Sequence, residues 1–409
     1  MMNNDLLQHI QRLQFSDKPQ AERLLLDFLR AAFDLSVAGV ELRPLAVSLN
    51  SFNGFLTLTD GRRLFFKTHV ESDTMIDEYY NARQLEDAGY SISQPLYESG
   101  EVGKQVLIYA VIDDPSVFDV AWMLERGERH DLAALTAAQN AADDALWGIY
   151  QRTLAWQQSA DAAKAPIHQL FYHRLTGGRL ARFYADDITV DLPDGSTQTM
   201  GAIKRVQWVI NGREYGASLE TTIQNAIRYL DPTLPGASVI GHGDAHNGNL
   251  FYRADGLMYF DPAFAGRHSA LLDLVKPLFH NVFAMWMYFP NEIREKLAIR
   301  LERAGDVWHV EHDYTLHPVR RMFFDSKVER VLKPCIRELK TRGWLHEDWR
   351  AIFKLALFCC PFLTMNLADA AKFSPEIRLL GLSMAVEMGV RADDPDSRSL
   401  IDTTLDFAP

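Results

Sequence analysis

Residues 20–33, QAERLLLDFLRAAF, place Leu25, Phe28, Leu29 and Ala32 on one stripe, with Glu22, Arg23, Asp27 and Arg30 largely elsewhere. That spacing predicts an amphipathic helix packed through one face. The pattern then changes to short β-like runs over 42–49, 54–58 and 63–68. Asp60-Gly61 between two apolar runs predicts a hairpin. Ser72-Asp73 offers an N-cap for a helix over 75–88 that ends at Gly89, and a strand over 105–112 runs into Asp113-Asp114-Pro115, which breaks regular structure.

From 116 onward the pattern is mostly helical, including an alanine-rich stretch over 132–155. A lobe boundary is therefore expected near residue 113, giving domains of 1–112 and 113–409. Within the second, Pro193-Asp194-Gly195 and Asn211-Gly212 predict two turns, the latter a type I′ hairpin, in an insertion over about 187–216. After Val239-Ile240 and a strand pair over 249–252 and 257–260, everything to about 390 reads as helix, with breaks at Pro277, Pro290, Pro334 and Pro361. The polar residues from Asp393 onward are expected to be frayed or loosely packed. The class is α+β: a small β-rich lobe and a large, mainly helical one.

Composition narrows the function. The chain has 409 residues, and 42 Lys and Arg against 54 Asp and Glu give 42 − 54 = −12. An acidic balance disfavours nucleic acid as a partner, because counterion release rewards clustered cations. The three cysteines, Cys335, Cys359 and Cys360, form neither a disulfide framework nor a zinc quartet. No apolar run reaches the ~18–20 residues that crossing a bilayer needs. No membrane partner and a cytoplasmic location are expected.

The chemistry concentrates in IGHGDAHNGNLFYRADGLMYFD, residues 240–261. His242, Gly243, Asp244, His246 and Asn249 share one loop between two strands, and Asp261 follows twelve residues after Asn249, directly before Pro262. Phosphoryl transfer asks for a carboxylate to orient and deprotonate a hydroxyl, and for oxygen ligands to Mg²⁺. An Asp, an Asn five residues later and a second Asp closing a hairpin supply that set, with the offset of the kinase pattern H-R-D-L-x-x-x-N followed by D-F-G.

H-G-D-x-H-x-x-N, an apolar strand and then Asp resembles the signature of the aminoglycoside phosphotransferase and choline kinase superfamily. The run Asp261, Gly266, Asp273-Leu274 is similar to the family's sequence after its metal-binding Asp. The resemblance implies a two-lobed, protein-kinase-like fold and an ATP- and Mg²⁺-dependent phosphotransferase acting on a hydroxyl of a small molecule, with GTP in place of ATP left open. It assigns Asp244 as catalytic base, Asn249 and Asp261 as metal ligands, and Lys67 as holding α- and β-phosphate oxygens, oriented by Glu78. His242, His246 and Asp273 are expected to support the loop. No G-x-G-x-x-G precedes Lys67, and Asn50-Ser51-Phe52-Asn53-Gly54 is read as the loop joining two strands. Ser51, Asn53 and Gly54 are its candidate phosphate contacts.

For the acceptor, an aminoglycoside, a choline-like amino alcohol or a sugar, the candidate linings are Tyr172, His173, Arg174, Arg182, Trp286, Tyr288 and Asn366. Aromatic residues at helical spacing also read as core. Two other readings keep the fold: a protein acceptor, and a pseudokinase that binds nucleotide without turnover. Monomer and homodimer both stay open.

Overall fold

The computed structural model describes residues 3–33, 35–43, 51–69, 74–99 and 105–407, with the side chains of 3–5, 51, 69 and 74–80 left aside. The chain divides into two compact units, one of Met1–Pro115 with Met258–Ala265 and the other of Ser116–Leu257 with Gly266–Pro409.

The first unit opens with helices α1 (Asn3–Leu13) and α2 (Lys18–Ala32). Asp17 caps α2 by accepting from the Gln20 N–H at 3.0 Å, and Pro19 sits in the first turn, where its missing N–H costs nothing. Leu25, Phe28 and Leu29 are buried together with Ala21. They pack on a five-stranded antiparallel sheet of β1 (Val37–Leu42), β2 (Ser51–Leu58), β3 (Arg63–His69), β4 (Tyr97–Ser99) and β5 (Val106–Ala110), in the order β1-β2-β3-β5-β4. The core between them holds Leu7, Ile10, Leu42, Phe52, Leu56, Phe66 and Ile108. β2 and β3 are joined at Asp60-Gly61, with Gly61 at φ +90°.

Two expectations change here. Ser51, Asn53 and Gly54 belong to β2 rather than to a loop, and Asn50 lies outside the described residues. Gly54 is a strand glycine because β1 passes too close for a side chain: a Cβ there would stand 2.1 Å from the Glu41 carbonyl oxygen. The first strand ends at Leu42, and the run read over 42–49 falls mostly outside the described residues. Helix α3 (Thr74–Ala88) ends at Gly89, whose φ of +103° lets its N–H and that of Tyr90 reach back to the Leu85 carbonyl. The Ser72-Asp73 cap is not among the described residues.

In the second unit a three-stranded antiparallel sheet, Gly266–Ser269, Gly236–Gly241 and Ala155–Gln157 in that order, carries the loop of interest. Helices Leu132–Thr153, Ala270–His280, Trp349–Leu363 and Pro375–Gly389 pack around it. All eleven residues of Ala270–His280 are buried. That burial explains why Pro277 and Pro361 lie inside helices instead of ending them: enclosure outweighs the ~3 kcal/mol a helical proline costs. Pro290 instead stands at a helix start, and Pro334 follows the π-turn Val328–Leu332 within a helical run that continues from Pro318 to Thr341.

The two expected turns are present, with Gly195 at φ +80° and Asn211-Gly212 at +49° and +75°. The helical reading of 260–390 fails at two places, the first being strand Gly266–Ser269 of the three-stranded sheet. Ile299–Ala304 and Val307–His312 form an antiparallel hairpin, and the latter strand pairs in parallel with Gln207–Ile210 to build a four-stranded sheet. Alternation decides it, with Leu301, Trp308 and Val310 buried between exposed Arg300, Glu302, His309 and Glu311. Among the described residues no helix is long and apolar enough to cross a membrane.

Candidate active site

The loop 242–246 leaves the central strand Gly236–Gly241, so its root is held from both sides. Gly243 turns it with φ +79°. Beneath it lies Asp273 in the first turn of helix Ala270–His280, where Oδ1 accepts from the Gly243 N–H at 2.6 Å and pairs with His268 Nε2 at 2.9 Å. The Tyr150 hydroxyl donates to Oδ2. Burial alone would raise the Asp273 carboxyl, but His268, Tyr150 and the Gly243 N–H together hold it below the usual carboxylate value. Gly241 must be a glycine, since a Cβ would lie 2.5 Å from that carboxyl carbon.

His242 is fully buried. His246 stands at the other end of the turn, where its Nδ1 accepts from the Gly248 N–H at 3.0 Å. Asn247 donates its N–H to Asn281 Oδ1 at 2.7 Å. The short helical turn Asn247–Asn249 then leads into strand Leu250–Arg253.

Asp244 protrudes from this frame. Lys276 Nζ, itself buried, approaches Asp244 Oδ1 to 3.5 Å, and His246 Nε2 lies 3.9 Å from Oδ2. Lys276 Nζ is also 2.9 Å from His280 Nε2, and the far nitrogen of that ring, Nδ1, is 2.7 Å from the Tyr288 hydroxyl. A row Asp244, Lys276, His280, Tyr288 results. Burial works against the Asp244 charge, yet Lys276 first, then His246, Arg174 and His242, outweigh it and hold the carboxyl below its ordinary range. Burial lowers the Lys276 ammonium in turn, only partly offset by Asp244, and keeps His280 well below the ordinary imidazole value. Asp244 Oδ1 accepts no hydrogen bond within the second unit.

Asn249 donates its side-chain N–H to the Asp244 carbonyl at 2.9 Å, which leaves its Oδ1 as the acceptor end. In the first unit, Lys67 on β3 pairs across to Asn53 and Leu107, and its Nζ donates to Asp261 Oδ1 at 2.9 Å. Asp261 is one of two described non-glycine residues with positive φ, at +55°. Such backbone in a non-glycine residue persists only where its surroundings fix it. Here Tyr259 exchanges hydrogen bonds with Ser91 and Ser93, and the Asn81 amide donates to the Pro262 carbonyl at 3.3 Å. Glu78 lies in α3, and its side chain is not among those described.

Asn249 and Asp261 offer hard oxygen donors, the kind Mg²⁺ takes. Among the described residues no group of three or more His, Cys, Asp or Glu could hold a metal ion.

The model of the phosphotransferase enzyme family matches residues 41–314, about two thirds of the chain. The protein belongs to that family. It is therefore an enzyme, a phosphotransferase. No curated protein matches it. Among solved structures it is similar to the amicoumacin kinase hAmiN in complex with AMP-PNP, Ca²⁺ and Ami, at 12% identity and a TM-score of 0.46, covering 89% of this chain and 95% of that one. It is also similar to the macrolide 2′-phosphotransferase MphH from Brachybacterium faecium, at 11% identity and a TM-score of 0.40 over 93% and 100%. A thermostable mutant of aminoglycoside phosphotransferase APH(4)-Ia, in ternary complex with AMP-PNP and hygromycin B, gives 11% and 0.46 over 89% and 98%.

Lys276, His280 and Arg174 have no assigned role in the sequence reading of the loop. The signal for the first two was available: Asp273, Lys276 and His280 recur at spacings of three and four along ALLDLVKPLFH, a polar stripe on an otherwise apolar helix. Trp286, a candidate for the acceptor pocket, is fully buried against Met384 and Phe373 and belongs to the core.

Proposed function

We propose that this phosphotransferase uses ATP and Mg²⁺ to move the γ-phosphate onto a hydroxyl of a small molecule. The observation that carries the reading is Asp244. It stands on a loop fixed by Asp273, and its carboxyl is held below the ordinary carboxylate range chiefly by Lys276, whose Nζ lies 3.5 Å from Oδ1.

The acceptor hydroxyl oxygen attacks the γ-phosphorus while the bond from that phosphorus to the β,γ-bridging oxygen breaks. ADP leaves with the bond's electron pair, and the hydroxyl proton passes to the Asp244 carboxylate, then to solvent. Asn249 and Asp261 are the residues that would hold Mg²⁺, which when bound neutralises charge on the β- and γ-phosphates. Lys67 would hold α- and β-phosphate oxygens, with Glu78 orienting it and Ser51, Asn53 and Gly54 nearby on β2. His242, His246 and Asp273 would support the loop.

The test is ADP release from Mg²⁺·ATP with a panel of hydroxyl compounds. Asp244→Asn is expected to lower kcat by ~10²–10⁴ while the fold is retained, the range for losing a general base. Full activity in that variant rejects the role given to Asp244.

A further inference from the structure

We propose that the acceptor carries an anionic group, a carboxylate or a phosphate, which the second unit receives on Arg174, Arg179 and Arg182. This deepens the reading above and rests on it.

The three arginines lie on two short helices, Tyr172–Thr176 and Arg179–Tyr184. Gly177-Gly178 lets the chain turn between them: a Cβ on Gly177 would press the His173 carbonyl at 2.5 Å, and Gly178 has φ +89°. Both helices dock against the end of helix Trp349–Leu363. Arg174 donates to Thr364 Oγ1 at 3.3 Å and Arg179 to the Leu363 carbonyl at 3.2 Å. These are neutral partners. Arg182 is exposed and lies over the Phe183 ring.

Among the described residues, none of the three pairs with a carboxylate. Elsewhere arginines find one readily, as in Arg303 with Asp194, Arg320 with Glu125, Arg330 with Asp144 and Arg391 with Asp406. In a chain with twelve more acids than bases, three clustered guanidiniums with no carboxylate in ion-pair contact leave room for something negative to arrive. The arrangement is visible in the proton affinities: burial first, then Arg174 and Arg182, lower the Arg179 guanidinium to about 10.

One member of the cluster, Arg174, also acts on the proposed catalytic carboxylate. Asp244 is the strongest charge acting on Arg174, and Arg174 in turn acts on Lys276 and His280. Arg174 Nε is buried and donates no hydrogen bond. Two cations of the second unit, Lys276 and Arg174, thus act on Asp244, and Arg174 and Arg182 both act on Arg179. An amine-bearing acceptor would meet repulsion there, and an anionic one a guanidinium fork suited to two oxygens.

The test measures binding to protein saturated with Mg²⁺·AMP-PNP, so that nucleotide phosphates are already accommodated. Glycerate and glycerol 3-phosphate are compared with glycerol, ethanolamine and kanamycin by calorimetry. The anions are expected to bind more tightly, and Arg182→Gln and Arg179→Gln each to weaken them about tenfold or more, as loss of a charge-assisted hydrogen bond does. Arg228→Gln, an exposed arginine on another helix, should leave them unchanged. Binding of kanamycin in preference, no binding by either anion, or anion affinity indifferent to both substitutions overturns the proposal. Failure of Mg²⁺·AMP-PNP to raise the melting temperature would instead reject the phosphotransferase reading itself.

Discussion

The molecule contains two Lys–Asp pairs of similar chemistry and opposite setting. Lys67 and Asp261 in the first unit meet at 2.9 Å with Asp261 43% exposed, whereas Lys276 and Asp244 in the second meet at 3.5 Å with Lys276 only 4% exposed. The shorter contact is the weaker one in free energy, because water already solvates one partner and salt screens both. The longer pair cannot be parted without leaving a charge behind in the interior. Distance and burial therefore order these two pairs oppositely. On the proposed roles, an exchangeable pair would let Lys67 turn to phosphate and Asp261 to metal, and an enclosed one would keep the Asp244 carboxylate ionised.

The comparison can be broken in three places. Lys276→Met should cost ~3–5 kcal/mol in urea unfolding, the figure for removing one partner of a buried pair. The remaining burial should then raise the Asp244 carboxyl, moving the acid limb of the kcat profile to higher pH. A variant with unchanged stability and profile would show that the pair is not enclosed in solution. Asp273→Asn should cost about 2–3 kcal/mol by unsettling three hydrogen bonds. Because the folded Asp273 carboxyl lies below its ordinary value, its contribution is complete above about pH 4 and is lost as pH falls lower. The variant's acid unfolding should accordingly lack part of the wild-type slope, and identical slopes would exclude the linkage. Lys67→Met should change stability by less than about 1 kcal/mol and still cripple turnover, with 1 M NaCl reproducing most of the stability change and little of the activity loss. A loss of several kcal/mol would place Lys67 among the structural pairs.

Much of the candidate loop was legible because it depends on residue types at short spacing: Asp244, Asn249 and Asp261 need only a turn and a hairpin to be recognised as candidates. The supporting row was harder. Lys276 reaches Asp244 through the packing of a helix onto a sheet, and no local pattern states that packing, although three polar residues on an apolar helix hinted at it. The hairpin over 299–312 was missed for a different reason. Its exposed positions are Arg, Glu and His, which suit a helix surface equally well, and the parallel partner strand lies about a hundred residues earlier in sequence. Gly54 shows the reverse error: a glycine beside small polar residues reads as a loop, while the close passage of β1 is invisible until the sheet is built.

The segment Met258–Ala265 completes the first unit only after 142 intervening residues, 116–257, have been spent on the second. No single cut can separate the two units. A fragment ending at Pro115 lacks Tyr259, whose backbone bonds to Ser91 and Ser93, and lacks Asp261 altogether. On the ribosome, at ~5–20 residues per second, the early sheet waits about 7–30 s for that strand to emerge. The last stretch of the first unit is thus delivered by the second, so that Lys67 meets its carboxylate only once the loop bearing Asp244 has already been synthesised.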